Sequence, residues 1–403
     1  MEFGQVEQLA LSPDQRDALL SCGAGFSLVP ERGRDGSWTL RAGCHVGTVA
    51  IPGLIIRIHP KLEIARLFVM LSAATGSIRW ESPRVLLSHS AVVEDVIALV
   101  LVDAIQRALP SGLLRGYIAT EEESFLVRGR LDLTETLRRR PTTLVPLVQV
   151  PEFLDENIPE NRVLVSALAR LVPAVRTAIV QARLADCRRS FADVVPLGKG
   201  EQLPRLAKNR LNARWWGAIE LALLILQAGG LDLQRGLHAA RAFLVDMNAV
   251  FERFVHRAFA DELHVFGLEV SHNRGGLRFD LDARHPLRPD LSIWKGPRCV
   301  FVGDCKYKFS PHGTAHLDDL YQCYAYAVAA DLPYATLIYG AEAPHARDVH
   351  VVDNRTVIRV RTLDLGGSPE RVRGQLRDLA QEAHASCSSA ARCNVQPLVL
   401  RGQ

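Results

Sequence analysis

The chain has 403 residues, of which 48% are hydrophobic and 23% are charged. This composition is typical of a folded globular protein and excludes wholesale disorder, and the length predicts two or three domains rather than one core. The formal net charge of +4 permits a nucleic-acid partner through local basic patches but does not argue for one, because a total says nothing about where charges lie.

The first part of the chain has the pattern of a small β-rich module. Residues 24–59 alternate short apolar runs with Gly and Arg, which predicts several short strands joined by tight turns, and we assign residues 1–60 to this module. From residue 61 the apolar period becomes helical, first in KLEIARLFVMLSAATG and then in AVVEDVIALVLVDAIQRALP. Pro110 is expected to end the second helix.

The middle of the chain, residues 61–230, is predicted to be a mixed helical and β region. Residues 125–150 return to strand character in FLVRGRLDL and TTLVPLVQV, and the turn-rich PEFLDENIPEN leads into a helix from about Asn161. A long helical tract then runs to about residue 265, with one Pro- and Gly-rich interruption at 193–209. The composition changes near residue 230, in QAGGLDLQRG, and this change predicts a domain boundary.

The remaining segment, residues 231–403, is interpreted as an α/β unit. It begins with a helix at 247–263 and continues with strands in GLEVSHN, GLRFDLD, RPDLSIW and CVFVGDCKYKF, a helix at 316–330 and a strand in YATLIYG. The chain is therefore predicted to be an α+β multidomain protein: a β-rich N-terminal module, a helical middle, and a C-terminal α/β core with a mixed central sheet.

Cysteines and the N-terminal pattern bear on the cellular compartment. The eight cysteines are scattered and form no CxxC pair, which indicates reduced thiols rather than a disulfide framework. The first residues carry acidic side chains and no apolar block after a cationic start, so they do not resemble a signal peptide. No run reaches about 18 uncharged apolar residues. We therefore expect a cytoplasmic protein without a membrane span.

Two aspartates and a lysine stand in the apolar strands of RPDLSIWKGPRCVFVGDCKYK. Asp290 and Asp304 flank the turn-forming KGP, so a hairpin would bring their carboxylates together. Lys306 shares a strand face with Asp304, because side chains alternate with a period of two. Carboxylate oxygens suit Mg²⁺, and a lysine beside the ion can position the attacking water and offset developing charge. Alone, a DxK tripeptide also fits a simple ion pair at a strand end.

Residues on the flanking helices add weight to the metal-site interpretation. Glu252 lies in the preceding helix, from which its carboxylate could reach the same metal. Gln322 and Tyr326 stand at i and i+4 of the following helix, and thus on one face of it. We predict metal-binding roles for Asp290, Asp304 and Glu252. Lys306 is expected to position water, and Gln322 and Tyr326 are expected to support the catalytic site.

The order helix-Glu, strand-PD, strand-DxK, helix-QxxxY resembles the PD-(D/E)xK nucleases of the QxxxY subtype. The matching residues are Pro289-Asp290, Asp304-Cys305-Lys306 and Gln322 to Tyr326. The upstream segments KLEIARLFVMLSAATG, LVRGRLDLTETLRR, PEFLDENIPENRVL and MNAVFERFV resemble, in that order, segments of the McrC family. McrC proteins are the nuclease subunits of McrBC-type modification-dependent restriction systems. The resemblance covers roughly residues 50–365.

The resemblance implies a Mg²⁺-dependent DNA endonuclease subunit, with Mn²⁺ able to substitute, that acts on methylated double-stranded DNA. It also implies an McrB-like AAA+ GTPase ring as the partner, with the N-terminal part of the chain docking on the ring and stimulating GTP hydrolysis. The sequence contains no GxxxxGK[ST] motif, so the GTPase would be a separate protein. Two alternatives stay open: a chiefly non-catalytic adaptor that stimulates an AAA+ ring, and a stand-alone RecB-like repair nuclease.

Two basic clusters could contact DNA phosphates or an acidic partner, although each also fits a solvated surface. The cluster in LVRGRLDLTETLRRRP contains Arg128, Arg130, Arg138, Arg139 and Arg140. The cluster in RLAKNRLNARWW contains Lys208, Arg210 and Arg214, which helical spacing would place on one face. The two tryptophans that follow are interpreted as core anchors at a helix start.

Overall fold

The computed structural model describes residues 1–21, 25–31, 37–74, 92–143, 145–198, 200–228, 241–272, 274–308, 314–341, 344–353 and 355–393. The chain divides into two compact units, one made of residues 1–100 and 227–403 and the other of residues 101–226. Within the described ranges, no helix combines the length and apolar character that crossing a membrane requires. The boundary predicted near residue 230 lies outside the described residues, and the division at residues 60 and 230 stays a prediction.

The N-terminal residues form short strands, as the sequence predicts. These are β1 (Gln5–Ala10), β2 (Phe26–Pro30), β3 (Ser37–Ala42), β4 (His45–Ile51) and β5 (Leu54–Ile58), with helix α1 (Pro13–Ser21) after the first strand. One sheet has the order β1-β3-β2, and β4 pairs antiparallel with β5 in another. Leu19, Val49 and Ile58 belong to the apolar core that these elements share.

Two helices follow, α2 (Ile64–Ala74) and α3 (Val93–Ala108), in agreement with the helical period of the sequence. The first turn of α3 contains Glu94 and Asp95 and its last turn contains Arg107, an arrangement that complements the helix dipole. A 3-10 turn that includes Pro110 follows directly, so the helix ends where the proline predicts.

The unit of residues 101–226 contains small antiparallel sheets and further helices. Its elements are β6 (Gly116–Ala119), β7 (Glu122–Ser124), β8 (Arg130–Leu131), α4 (Leu133–Arg139), β9 (Leu147–Val150), β10 (Glu152–Asp155), α5 (Pro159–Leu171), α6 (Ala178–Arg189) and α7 (Trp216–Ala228). The turn predicted in PEFLDEN is wrong in part, because β10 pairs there with β6. The strand predicted in FLVRGRLDL shrinks to β8, because Asp132 caps α4 immediately afterwards by accepting a hydrogen bond from Glu135 N.

The segment before α7 is not helical, so the helical spacing predicted for Lys208, Arg210 and Arg214 is wrong. The backbone turns there instead, and the turn is stabilised by Asn209 Oδ1, which accepts hydrogen bonds from the backbone N of residues 211 and 212. Trp215 is fully buried and meets Phe191 edge-on, with ring centroids 6.2 Å apart. The prediction that both tryptophans anchor the core at this helix start is confirmed for Trp215, whereas Trp216 is only partly buried.

Strand β11 (Arg241–Asp246) extends the second N-terminal sheet by pairing with β4. The helical tract predicted to run to about residue 265 is therefore wrong at this point. A short apolar run fits a strand or a helix equally well by periodicity, and here the distant partner strand decides. Gly47 permits the close pairing: its φ is +136°, and a Cβ at this position would lie 2.0 Å from Phe243 O.

The C-terminal elements are α8 (Met247–Leu263), β12 (Glu269–Ser271), β13 (Leu277–Arg278), β14 (Pro286–Leu287), β15 (Leu291–Lys295), β16 (Arg298–Lys306), α9 (Leu317–Ala329), β17 (Tyr334–Ala341), β18 (Ala346–His350), β19 (Val357–Asp364) and α10 (Pro369–Cys393). The main sheet has the order β12-β15-β16-β17-β19-β18. β17 runs parallel to β16 and β19, and the other pairs are antiparallel, so the predicted mixed sheet is present. Every residue of β17 is buried, because α8, α9 and α10 pack around this sheet.

Candidate active site

Strands β15 and β16 form the hairpin that the KGP turn predicts. Their pairing sets Leu291 opposite Gly303, and the same register brings Asp290, one residue before β15, beside Asp304. Asp290 Oδ2 also accepts a hydrogen bond from Cys305 N at 3.0 Å, which ties its segment to β16. The two aspartates predicted to share a site are therefore neighbours at one end of the hairpin.

Asp304 is the most enclosed of the candidate residues, with 0% of its surface exposed. Its Oδ2 forms a 2.8 Å ion pair with Lys306 Nζ and the carboxyl lies beside that of Asp290, while no backbone N–H of the described residues donates to either oxygen. Burial and the charge of Asp290 raise the pKa of Asp304, and burial and Glu252 raise the pKa of Asp290. The pair therefore resists ionisation as long as no further cation is present.

Lys306 lies on the same face of β16 as Asp304, whereas Cys305 between them is buried in the core, as the period of two predicts. Burial alone would lower the pKa of Lys306, but the charges of Asp304 and Asp290 outweigh it and raise that pKa above its usual range. The ammonium is therefore charged at neutral pH and able to face an anionic group.

Glu252 projects from α8 and contacts His272, with Oε2 and Nε2 3.3 Å apart. Burial, opposed by Lys306 and reinforced by Asp246 and Asp304, raises the pKa of Glu252 to about 7. Burial lowers the pKa of His272 to about 4, so the imidazole is neutral at pH 7. Glu252 and the two aspartates do not form a group with all ligand atoms within 4.8 Å among the described residues. Glu252 would therefore reach a shared ion through water or a small shift.

Gln322 and Tyr326 on α9 are brought together as predicted. Gln322 Nε2 donates a hydrogen bond to the Tyr326 hydroxyl at 2.8 Å, and that hydroxyl donates to Arg288 O at 3.3 Å. Burial, together with Asp304 and Asp290, raises the pKa of Tyr326 to about 12. The pair therefore holds the backbone two residues before Asp290 and stays neutral while doing so.

A neighbouring ion pair was not predicted from the sequence. Lys308 Nζ lies 3.1 Å from both carboxylate oxygens of Asp319, and the Tyr339 hydroxyl donates to the same carboxylate at 2.6 Å. The charge of buried Asp319 also helps to raise the pKa of Lys306. The available signal was the position of Lys308 two residues after Lys306, just beyond the end of β16.

The donor set fits a hard divalent cation. Glu252, Asp290 and Asp304 all interact electrostatically with the partly buried Lys306, and burial disfavours their ionised forms. Asp304 pairs with Lys306 through Oδ2, and no backbone N–H of the described residues donates to its oxygens, so they remain able to act as ligands. Carboxylate oxygens are the ligands that Mg²⁺ prefers, and its charge would offset the repulsion within the cluster.

The arginine cluster of residues 128–140 is largely neutralised by its own surroundings. Arg139 contacts Glu121, Glu123 and Glu135, the last at 2.6 Å. Arg138 pairs with Glu135 and Arg140 pairs with Glu123, each at 2.6 Å. Arg128 and Arg130 are exposed. The predicted contacts of these arginines with DNA or a partner stay predictions.

The second basic cluster is exposed around Lys208 and Arg210. Arg214 has a local structural use, because its guanidinium donates hydrogen bonds to the carbonyl oxygens of Ser111 and Gly112 at 2.9 and 3.1 Å. These bonds satisfy carbonyls at the end of the 3-10 turn that follows α3. A role of this cluster in binding DNA also stays a prediction.

Comparison with known proteins places this chain in a class. A family model described as McrBC 5-methylcytosine restriction system component matches residues 40–340. Among solved structures, the chain is similar to a half-complex of Thermococcus gammatolerans McrB AAA+ hexamers with bound McrC, at 17% identity and a TM-score of 0.48, covering 94% of this chain and 98% of that one. The cryo-EM structure of the Thermococcus gammatolerans McrBC complex matches at 20% identity and a TM-score of 0.40, covering 65% and 86%.

No curated protein matches the chain. The family model spans most of the chain. The class is that of restriction-system components. The chain belongs to the McrBC family.

Proposed function

We propose that this protein is the DNA endonuclease subunit of a GTP-dependent restriction complex that targets methylated DNA. The observation that carries the proposal is the fully buried Asp304 carboxyl group, which lies beside Asp290 and pairs with Lys306 while its pKa is still raised. Burial of two neighbouring carboxyl groups costs free energy that one lysine offsets only in part, so a bound cation is the best account of the pair. Family membership supplies the restriction context.

Asp290 and Asp304 would hold Mg²⁺, with Mn²⁺ able to substitute, and Glu252 would complete the shell. When bound, the ion would polarise the scissile phosphate and lower the pKa of a coordinated water. Lys306 is charged and can hold that water by hydrogen bonding while offsetting negative charge on the phosphate. Gln322 and Tyr326 fix the backbone that carries Asp290, and so keep the carboxylates in position.

The proposed partner is an McrB-like AAA+ GTPase ring, which the chain would dock on and stimulate. Support comes from membership in a family defined as restriction-system components and from the lack of a P-loop motif in this sequence, which leaves GTP hydrolysis to another subunit. The proposed substrate is methylated double-stranded DNA in the cytoplasm, with recognition of the modified base residing in the partner.

Plasmid cleavage tests the proposal. The purified chain is incubated with Mg²⁺ and methylated or unmethylated plasmid, with and without its candidate GTPase and GTP. We expect cutting that requires the GTPase, GTP and methylation, and that falls by at least about 100-fold in Asp304→Ala, because a metal ligand is lost. Asp282→Ala is the matched control, since that aspartate is largely exposed in the same unit.

Other outcomes of this experiment would indicate a different function or contradict the proposed site. If the chain raises GTP turnover by the partner while no condition gives cutting, the adaptor function replaces the nuclease proposal. Cutting that needs neither partner nor methylation would instead indicate a stand-alone repair nuclease. Unchanged cutting by Asp304→Ala would contradict the assignment of the site itself.

A further inference from the structure

A second cluster of metal-ligating side chains lies where β4 meets the start of α8, apart from the hairpin carboxylates. Its members are Cys44, His45 and Asp246, whose ligand atoms all lie within 4.8 Å of one another. Among the described residues, no other group of three His, Cys, Asp or Glu side chains has all its ligand atoms within this distance of one another. The pairing of β4 with β11 creates it by setting His45 opposite Asp246, two positions that are remote in sequence.

The spacing of the three ligand atoms matches a tetrahedral metal site. Cys44 Sγ lies 3.6 Å from His45 Nδ1 and 3.3 Å from Asp246 Oδ1. With Zn–S bonds of about 2.3 Å and Zn–N or Zn–O bonds of about 2.0 Å, tetrahedral angles place sulfur about 3.5 Å from the other ligand atoms. An ion could therefore be accommodated with little rearrangement of the side chains.

Asn248 supplies the outer contacts that such a site requires. Its Nδ2 donates to Cys44 Sγ at 3.1 Å, and its backbone N donates to Asp246 Oδ1 at 2.9 Å. Its Oδ1 accepts a hydrogen bond from Tyr307 N at 3.2 Å. Hydrogen bonds of this kind orient the ligands of bound metals. Here they also link the cluster to the residue after Lys306.

We propose that Cys44, His45 and Asp246 bind Zn²⁺, with water in the fourth position. A combination of thiolate, imidazole and carboxylate ligands suits Zn²⁺ rather than Mg²⁺, which prefers oxygen ligands alone. Binding replaces the S–H bond of Cys44 by an S–Zn bond and releases the proton to solvent. The ion would join β4 to α8 and, through Asn248, hold the end of β16 that carries Lys306.

The simpler alternative is a metal-free hydrogen bond from the Cys44 thiol to Asp246. Burial, together with Asp246, raises the pKa of Cys44 to about 12, so the thiol stays protonated without a cation. The two states differ in metal content and in the spectrum of a Co²⁺-substituted protein, because only a Co²⁺–thiolate bond gives an intense charge-transfer band.

The test measures bound Zn²⁺ by elemental analysis of the tag-free chain after gel filtration, with Co²⁺ substitution as a second readout. We expect near-stoichiometric Zn²⁺ and a thiolate-to-cobalt band in the wild type, and loss of both in Cys44→Ala and Asp246→Asn. Asparagine is as good an N-cap as aspartate, so Asp246→Asn should remain folded at the start of α8. Chelation should lower the Tm of the wild type by several degrees and leave that of Asp246→Asn unchanged.

Two control variants separate this site from the proposed nuclease site. Cys187→Ala, at a buried cysteine of α6, and Asp304→Ala should both retain Zn²⁺. Equal metal content in the wild type, Cys44→Ala and Asp246→Asn would overturn the proposal, as would loss of Zn²⁺ in Asp304→Ala alone. The measurement needs neither DNA nor cleavage, so its failure would leave the nuclease proposal standing, and the reverse also holds.

Discussion

Charged side chains have different environments in the β15–β16 hairpin and on the surface of residues 121–140. In the hairpin, Asp304 is fully buried, lies beside Asp290 and has Lys306 as its ion-pair partner. On the surface, the side chain of Arg139 is 36% exposed and contacts three glutamates. Both stretches are conspicuous in the sequence as charged motifs, yet only the hairpin keeps its charge in an unfavourable environment.

The contrast shows where a ligand would change the free energy most. Burial and Asp290 disfavour the ionised form of Asp304, the Lys306 ion pair offsets that cost only in part because the pKa stays raised, and a bound cation would relieve the remainder. An exposed ion pair contributes little in either direction, because water screens it. Substitutions in the hairpin should therefore move activity and stability in opposite directions, whereas substitutions on the arginine surface should move both only slightly.

The largest expected effect is that of Asp304→Asn. The amide keeps the shape of the side chain but removes the buried charge and a strong metal ligand. We expect DNA cleavage to fall by at least about 100-fold. Without Mg²⁺, we expect the free energy of unfolding to rise by about 1–2 kcal/mol above pH 7, because burial and Asp290 raise the pKa of Asp304 to about 7 and the amide removes the disfavoured ionised form. Plasmid cleavage and urea unfolding measure the two effects.

Asp282→Asn serves as the control for Asp304→Asn, since its side chain is 72% exposed and should change neither quantity. A lower free energy of unfolding for Asp304→Asn would show that the Lys306 ion pair outweighs the cost of burial. That result would break the contrast between the two regions, even if cleavage were lost.

An intermediate effect is expected for Tyr326→Phe. The substitution removes the hydroxyl that joins Gln322 to Arg288 O and loosens the backbone before Asp290. Without these hydrogen bonds the activation free energy of cleavage should rise by about 1 kcal/mol, which lowers the cleavage rate by roughly 5- to 10-fold. Substrate affinity should change little. Single-turnover cleavage measures the rate. Tyr321→Phe, at an exposed tyrosine of the same helix, should leave it unchanged; equal loss in both variants would remove Tyr326 from the site.

Much of this site could be predicted because its parts are local in sequence. The bounds of α8 agree with the predicted 247–263: Asp246 caps its start, and the apolar periodicity ends at Leu263. Asp304 and Lys306 share a face through the strand period, and Gln322 and Tyr326 share one through the helix period. That these residues lie in one site was predicted from the order of the motifs, which resembles that of the PD-(D/E)xK nucleases.

Contacts between segments that are distant in sequence could not be predicted from local periodicity. The pairing of β11 with β4 replaced a predicted helix by a strand, and it also formed the Cys44–Asp246 contact. The ion pair of Lys308 with Asp319 spans the end of β16 and the start of α9. Local periods carry no information about which remote segment a strand meets, so these features required the folded structure.

The smallest expected effect is that of Arg139→Ala. Its three glutamate contacts are exposed to water, so we expect only a slight fall in the free energy of unfolding. Because those glutamates already neutralise the guanidinium, DNA affinity should keep its dependence on salt concentration. Fluorescence anisotropy over a salt series measures it, with exposed Arg130→Ala as the matched variant. A slope reduced by about one for Arg139→Ala would indicate a phosphate contact, and would mean that DNA displaces the glutamates from this arginine.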